Sequence, residues 1–108
     1  MRVYIAGPIT DNEHYNNKFI RREKFLKDFG YEVCNPLRIA QRLEVELNRK
    51  PNYEECMEAN LAELSKCDAI NYLPGWELSN GAQREKERAD SIGLQIVSVY
   101  ELGGTRWK

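Results

Sequence analysis

Short apolar runs alternate along the chain with longer segments in which apolar side chains recur every three or four positions. The runs are rich in β-branched and aromatic residues and are typical of buried strands, whereas the longer spacing is typical of amphipathic helices. The pattern predicts strands at residues 2–6, 31–35, 68–73 and 94–99, and helices at 12–29, 37–48, 53–66 and from the 74–81 loop to residue 93.

This strand–helix alternation with short links predicts an α/β fold whose sheet is mainly parallel. Because right-handed crossovers leave few ways to wind such a sheet, we predict a flavodoxin-like three-layer sandwich of four or five strands, in a single domain at residues 1–108. Ligands of such sheets bind beyond the carboxyl ends of the strands. We therefore expect the loops at 7–13, 35–37 and 74–81 to converge on a site.

One carboxylate interrupts the apolar face of the last predicted helix. Leu78, Ala82, Glu85, Ala89 and Ile92 fall on a single stripe of that helix. A carboxylate on the buried side is costly to desolvate, so it needs either hydrogen-bonding partners or a functional role. Two other interpretations stay open, namely a glutamate turned outward by helix rotation and a buried hydrogen bond with a purely structural role.

Four further residues also have both a structural and a functional interpretation. Asn60 lies on the inward face of its predicted helix, so we expect its amide to bond to a group in the crevice or at a strand end. Ser79 stands at a helix start, where a cap alone would explain it. Tyr4 and Trp76 are more typical of packing residues than of ligand contacts.

The first loop, AGPIT at residues 6–10, offers backbone N–H groups at a helix N-terminus, which is a natural seat for an anion. It is neither a Walker loop nor GxGxxG, so the sequence lacks the usual motifs for ATP hydrolysis and for NAD binding. The third predicted strand ends without an aspartate, which excludes a phosphorylated receiver domain.

Charge and composition narrow the function classes further. The 16 basic and 17 acidic residues create no overall positive field for DNA or RNA. No apolar run is long enough to span a bilayer and no signal-peptide pattern is present, so we expect a cytoplasmic protein that does not bind membranes. Cys34, Cys56 and Cys67 fit free thiols, and with a single histidine we expect no metal site and no cofactor.

Several segments together resemble the nucleoside 2-deoxyribosyltransferase superfamily, and within it the small DUF4406 proteins of phages and bacteria. The matching segments are VYIAGPIT at the start, NP at 35–36, CDAI at 67–70 and LPGWELSNGAQREKERADSIG at 73–93. The superfamily pattern S-x-G-x-x-x-E-x-x-x-A-x-x-x-(G/N) is matched by Ser79, Gly81, Glu85, Ala89 and Gly93. The resemblance covers nearly the whole chain and is more specific for fold than for activity.

The resemblance implies that Glu85 is the nucleophile of an N-glycosidase or 2-deoxyribosyltransferase. In the superfamily this glutamate attacks the anomeric carbon of a nucleoside or nucleotide and releases the base, and water or a second base then resolves the glycosyl-enzyme. Tyr4 matches a tyrosine near the nucleophile. Ser79 matches the residue at the 5′ end of the sugar, where serine favours a 5′-monophosphate. Further expected substrate contacts are Gly7, Pro8, Ile9, Thr10, Asn35, Trp76 and Gly81.

Two departures from the superfamily bear on activity. The first loop has Ile9 and Thr10 where phosphate-binding relatives often place a basic residue, so Arg84, Arg38 or a neighbouring subunit would have to supply the cation. Asn60 occupies the position of an aspartate that helps to protonate the leaving base, a role typically worth ~10²–10⁴ in rate. An amide can orient the base but cannot donate that proton.

Three functions therefore stay open. The chain is an enzyme that cleaves the N-glycosidic bond of a (deoxy)nucleoside 5′-monophosphate, a catalytically weak or inactive nucleotide-binding protein of the same fold, or an interaction protein that kept only the fold. For the first two, the partner is a small nucleotide or nucleoside and not a nucleic-acid polymer. The resemblance also implies a homo-oligomer, with residues 37–48 and the Trp107 tail as candidate contacts.

Overall fold

The computed structural model of the protein describes residues 1–8 and 13–98, with only the backbone at 13–15. The predicted site residues Ile9 and Thr10 and the Trp107 tail lie outside the described residues. The elements in chain order are β1 (Arg2–Ala6), α1 (Glu13–Asp28), β2 (Glu32–Cys34), α2 (Pro36–Leu47), α3 (Tyr53–Leu64), β3 (Ala69–Tyr72), a 3-10 turn (Trp76–Leu78), α4 (Asn80–Ser91) and β4 (Gln95–Ile96).

The four strands form one parallel sheet in the order β2-β1-β3-β4. This order is the one expected for a flavodoxin-like sheet, and the predicted α/β fold class is confirmed. β1 and β3 pair along four residues, from Val3 opposite Ala69 to Ala6 opposite Tyr72. β4 pairs only at two positions and is shorter than the predicted 94–99 strand.

Helices cover both faces of the sheet, because successive side chains of a strand point to opposite sides. On one face, Phe19 and Leu26 of α1 pack against Val3, Ile5 and Ala69 of the sheet. On the other face, one residue from each of α2, α3 and α4 packs against the sheet residues Tyr4, Ala6 and Ile70. These helix residues are Ile39, Leu64 and Ala89. Tyr4 therefore points toward α4, whereas its neighbours in β1 point toward α1.

Short polar side chains fix where α2, α3 and α4 begin. Asn35 Oδ1 accepts a hydrogen bond from the Leu37 N–H at 3.0 Å, and Asn52 forms a reciprocal capping box with Glu55. Ser79 caps α4 in the same way. These caps bond to N–H groups that have no partner inside the helix.

The segment that leads into α4 differs from the prediction. Gly75 adopts φ 88° and begins a 3-10 turn, so the helical phase breaks before α4 starts. Leu78 is consequently 92% exposed instead of lying on the buried stripe. Ile92 is the C-cap and is 45% exposed. The buried face of α4 consists of Ala82, Glu85 and Ala89.

α1 also departs from its predicted faces. The helical pattern over residues 12–29 predicts Ile20 and Phe29 inward and Arg22 and Glu23 outward. In the structure Arg22 and Glu23 are buried, whereas Ile20 and Phe29 are 41% and 49% exposed. The Arg22 guanidinium donates to Asn71 Oδ1 on β3 at 2.5 Å. Burial of these charges is possible because partners on other elements compensate them, and periodicity cannot reveal such partners.

Candidate functional site

A cavity of about 190 Å³ lies where α2, α3 and α4 begin, beside the end of β1. Its lining is mainly apolar and comprises Gly7, Pro36, Ala40, Pro51, Asn52, Tyr53, Cys56, Met57, Asn60, Ser79, Gly81, Ala82 and Glu85. The volume is below the roughly 300–1,000 Å³ of pockets that hold drug-sized ligands. A ligand as large as a nucleotide would therefore fill this cavity and reach its rim.

Glu85 is the only acidic side chain that lines the cavity within residues 1–8 and 13–98. It is 2% exposed, and the Tyr4 hydroxyl donates a hydrogen bond to its Oε2 atom. Tyr4 itself is fully buried on β1 and is not among the residues that line the cavity. The contact joins residues 81 positions apart and holds the carboxyl group in one orientation.

The environment of this pair disfavours negative charge. Burial raises the pKa of Glu85 to about 8, and the Cys34 thiol acts in the same direction, while the Tyr4 hydrogen bond opposes both. Burial, followed by the Glu85 charge and the hydrogen bond to it, raises the pKa of Tyr4 well above its usual value. The shared proton therefore stays on Tyr4, and Glu85 becomes a carboxylate only in mildly alkaline solution.

Asn60 is a buried amide whose partner is missing from the described residues. It is 2% exposed and lines the cavity, yet no side chain or backbone group of the described chain hydrogen-bonds to its amide. Asn35 and Asn71 are equally buried, and each hydrogen-bonds through both its Oδ1 and its Nδ2 atom, the latter residue with Arg22 and Val97. Since buried amides are nearly always hydrogen-bonded, the Asn60 amide is suited to a group that enters the cavity.

The position of Ser79 is compatible with both roles considered for it, a helix cap and a ligand contact. Its Oγ atom accepts from the Ala82 N–H at 3.2 Å as the cap of α4, and the residue also lines the cavity, so the hydroxyl proton can be donated to a ligand. At Gly81, a Cβ atom would lie 3.3 Å from Met57 Sδ and 3.8 Å from both Ser79 Oγ and Tyr53 Oη. The first turn of α4 thus opens on the cavity between two hydroxyl groups.

The remaining predicted contacts divide between the cavity and the scaffold. Gly7 lines the cavity, and a Cβ there would come within 2.9 Å of Leu73 Cβ, so only glycine allows the loop to approach β3 this closely. Pro8, Asn35 and Trp76 are not among the lining residues that the structure describes. Asn35 caps α2, and Trp76 packs on Tyr72 with ring centroids 4.6 Å apart.

Apart from Asn60, the residues of α3 that line the cavity were missing from the sequence-based prediction. The four residues Tyr53, Cys56, Met57 and Asn60 line the cavity together, and each lies three or four positions from two of the others. This is the spacing of neighbours on one helix face, so extending the face of Asn60 toward the helix start would have found them. Their aromatic and apolar side chains give the cavity a wall that can pack against a flat ring.

Neither a cluster of metal-binding side chains nor a membrane-spanning helix occurs in the described part of the chain. Within residues 1–8 and 13–98, no group of three or more histidine, cysteine or acidic side chains could hold a metal ion. None of the helices in those ranges is long and apolar enough to cross a membrane. The three cysteines are free thiols, of which Cys56 lines the cavity.

Comparisons with known proteins agree with this architecture. The family model described as "Domain of unknown function (DUF4406)" matches residues 1–98. Among solved structures, the chain is similar to that of the Clostridium botulinum CMP N-glycosidase BcmB, with a TM-score of 0.62 and 21% sequence identity. The match covers 91% of this chain and 67% of the other, and at this identity it shows a shared fold. A comparison with curated proteins found no match.

Proposed function

The protein belongs to the DUF4406 family, and we propose that it cleaves the N-glycosidic bond of a (deoxy)nucleoside 5′-monophosphate with Glu85 as the nucleophile. The observation on which this proposal rests is the buried Glu85 carboxyl group, which is held by Tyr4 and directed into a largely apolar cavity. A rigid carboxylate in a dry site is what a carbon that develops oxocarbenium character requires. The CMP N-glycosidase activity named for the structural neighbour supports the same reaction class.

In the proposed reaction, a Glu85 oxygen bonds to C1′ of the sugar while the bond from C1′ to the base nitrogen breaks. The base leaves with the electron pair of that bond and takes up a proton. Water then attacks C1′, its second proton is released to solvent, and Glu85 departs as a carboxylate, which leaves a pentose 5-phosphate. We propose water rather than a second base as the acceptor, because Ser79 favours a phosphorylated substrate.

The proposed roles of the other residues follow from their positions. Ser79 and the first turn of α4 would hold the 5′ end together with the loop that begins at Gly7, because helix N-termini favour anions. Asn60 would hydrogen-bond the base, whose ring would lie against the α3 wall. Tyr4 would orient Glu85 without touching the substrate.

The second candidate function is a nucleotide-binding protein that does not turn its ligand over. Two observations favour it. Asn60 cannot donate the proton that a leaving base needs, and a pKa of about 8 keeps Glu85 largely protonated at neutral pH. The affinity for a nucleotide would remain, since neither feature removes the cavity.

The experiment that separates the two functions is incubation of the protein with a panel of nucleoside and deoxynucleoside monophosphates, CMP included, followed by chromatography of the products. The proposed enzyme releases free base and a pentose phosphate. Recovery of bound but intact nucleotide would favour the binding protein, and no binding at millimolar concentration would leave only the interaction protein.

The rate of base release is expected to rise with pH between about 7 and 9, because only the carboxylate form of Glu85 attacks C1′. Tyr4→Phe removes the hydrogen bond that favours this form, so the rising limb should move upward by about 1–2 pH units. The measurement is kcat/KM as a function of pH for both proteins. A lower rate at every pH with an unmoved limb would mean that Tyr4 supports only the fold.

We further propose that the protein is a cytoplasmic homo-oligomer. The superfamily resemblance supports assembly, and Val45 on α2, which is 81% exposed, gives the predicted 37–48 contact an apolar surface. Nucleoside monophosphates are cytoplasmic metabolites, which supports the location. A solution mass equal to that of one chain would contradict the assembly.

A further inference from the structure

The described lining of the cavity contains no basic side chain, although a 5′-phosphate needs positive charge nearby. Arg84 stands closest to meeting this need. Its guanidinium carbon lies 5.8 Å from the centroid of the Tyr53 ring, and Tyr53 lines the cavity. Arg84 therefore lies at the rim of the cavity, beside a side chain that lines it.

The Tyr53 hydroxyl connects this rim to the first turn of α4. Tyr53 Oη and Ser79 Oγ are each 3.8 Å from the point that a Cβ of Gly81 would occupy. The space in front of Gly81 is thus bordered by two hydroxyl groups and by a helix N-terminus, which carries a partial positive charge. Arg84 adds a full positive charge beside the same space.

The present partner of Arg84 is easily exchanged. Arg84 Nη1 donates to Glu54 Oε1 at 3.0 Å, in an ion pair whose side chains are 41% and 71% exposed. Ion pairs this exposed contribute little to stability, so a ligand dianion can compete with Glu54 for the guanidinium. Arg38, the other candidate cation, is bound through two nitrogens to Glu23 on α1 and does not line the cavity.

The distance from Glu85 suits this arrangement. Glu85 is five positions along α4 from its first residue, Asn80, which is about 7.5 Å along a helix axis, and helical side chains lean toward the N-terminus. A ribose with its C1′ at the Glu85 carboxylate would therefore place its 5′ end at the first turn of α4. The unpartnered Asn60 amide in the same cavity independently indicates that a ligand binds there.

We propose that Arg84, resting on Tyr53, is the phosphate-binding residue of this site and exchanges Glu54 for the 5′-phosphate of a bound nucleotide. This inference rests on the proposed function, because it presumes a nucleotide in the cavity. It goes beyond that function by assigning the missing cation to this chain's own α4, without a neighbouring subunit.

The test is calorimetric binding of CMP, UMP, AMP and GMP and of their four nucleosides to the chain in a Glu85→Gln background, which prevents turnover. Arg84→Gln is expected to weaken the preferred monophosphate about 10–100-fold, since one charge-assisted interaction is lost, and to change its nucleoside less than 2-fold. The matched control is Arg88→Gln, one turn along α4, where the guanidinium bonds to Ser65 at 3.1 Å. It removes the same charge and should change neither affinity by more than about 2-fold.

Glu54→Gln tests the same exchange by removing the negative charge that Arg84 pairs with. It frees Arg84 and removes a nearby negative charge, so monophosphate affinity should increase roughly 2–5-fold, and the gain should vanish when Arg84→Gln is added. Inorganic phosphate should compete with the monophosphate only when Arg84 is present. Equal losses in Arg84→Gln and Arg88→Gln, or equal losses for nucleotide and nucleoside, overturn the assignment and leave the proposed function standing. Failure to bind any nucleotide or nucleoside overturns both.

Discussion

Glu85→Gln is expected to abolish base release and, at the same time, to make the protein more stable in alkaline solution. The loss of activity should exceed about 10³-fold, because the amide is a poor nucleophile that cannot form the glycosyl-enzyme. The gain in stability follows from the burial that raises the pKa of Glu85 from 4.5 to about 8. A mutation that removes function and adds stability distinguishes an active-site residue from a structural one.

The sign of the stability change is fixed by proton linkage. The folded protein holds the Glu85 proton more tightly than the unfolded chain does. Its contribution to stability is therefore fully present below pH 4.5 and is lost as the pH rises toward 8. At about 1.4 kcal/mol for each pKa unit, the loss is at most about 5 kcal/mol. Glutamine has no proton to lose, so the Tm of the variant should exceed that of wild type by a margin that grows by roughly 10 °C between pH 6 and 9.

The matched control is Glu87→Gln, which changes an exposed glutamate on the same helix. It should leave both base release and the pH dependence of Tm as in wild type. The assignment of Glu85 would be contradicted by a Glu85→Gln protein that releases base at the wild-type rate. A Tm difference that does not change with pH would instead show that the carboxyl group is ionised throughout this range.

Asn60→Asp is expected to raise the rate of base release by about 10²–10⁴, because it places a proton donor where the leaving base lies. Asn60 lines the cavity with an amide that has no partner in the described part of the chain, so the new carboxyl group would face the ligand and not a scaffold group. Burial would keep it protonated near neutral pH. The pH profile should therefore become bell-shaped, rising as Glu85 ionises and falling as the new acid does.

Asn52→Asp provides a matched control for this gain. Asn52 also lines the cavity, and aspartate is as good an N-cap as asparagine, so α3 should keep its start. The change adds the same carboxyl group to a different part of the wall and should not accelerate base release. A folded, ligand-binding Asn60→Asp protein with no gain in rate would show that protonation of the base does not limit the reaction.

On α4 the hydrophobic pattern predicts burial correctly in the middle of the helix and wrongly before its start. The three- and four-residue spacing correctly predicted that Ala82, Glu85 and Ala89 are buried, because the helix is regular over that span. The same spacing predicted a buried Leu78, which is exposed, because the turn at Gly75 changes the direction of the backbone before the helix begins. Periodicity presumes one continuous helix, so its errors fall where an unpredicted turn interrupts the phase.

Buried polar side chains show a second limit. The sequence placed Arg22 on a solvated face, because an arginine among lysines and glutamates on a helix is usually exposed. In the structure it bonds to Asn71 of β3, 49 positions away. Long-range partners of this kind determine whether a charge can be buried, and they exist only after the sheet and helices have packed.

Local periodicity and short motifs were enough to predict the order of strands and helices, the parallel α/β architecture and Glu85 as the candidate residue. The surroundings of that carboxyl group follow from tertiary packing alone. The Tyr4 hydroxyl that bonds to it comes from β1, Asn60 of α3 lines the same cavity, and Arg84 lies over the Tyr53 ring at the rim. Each of these contacts joins different elements, and the charge, orientation and pKa of a buried group depend on such neighbours in space.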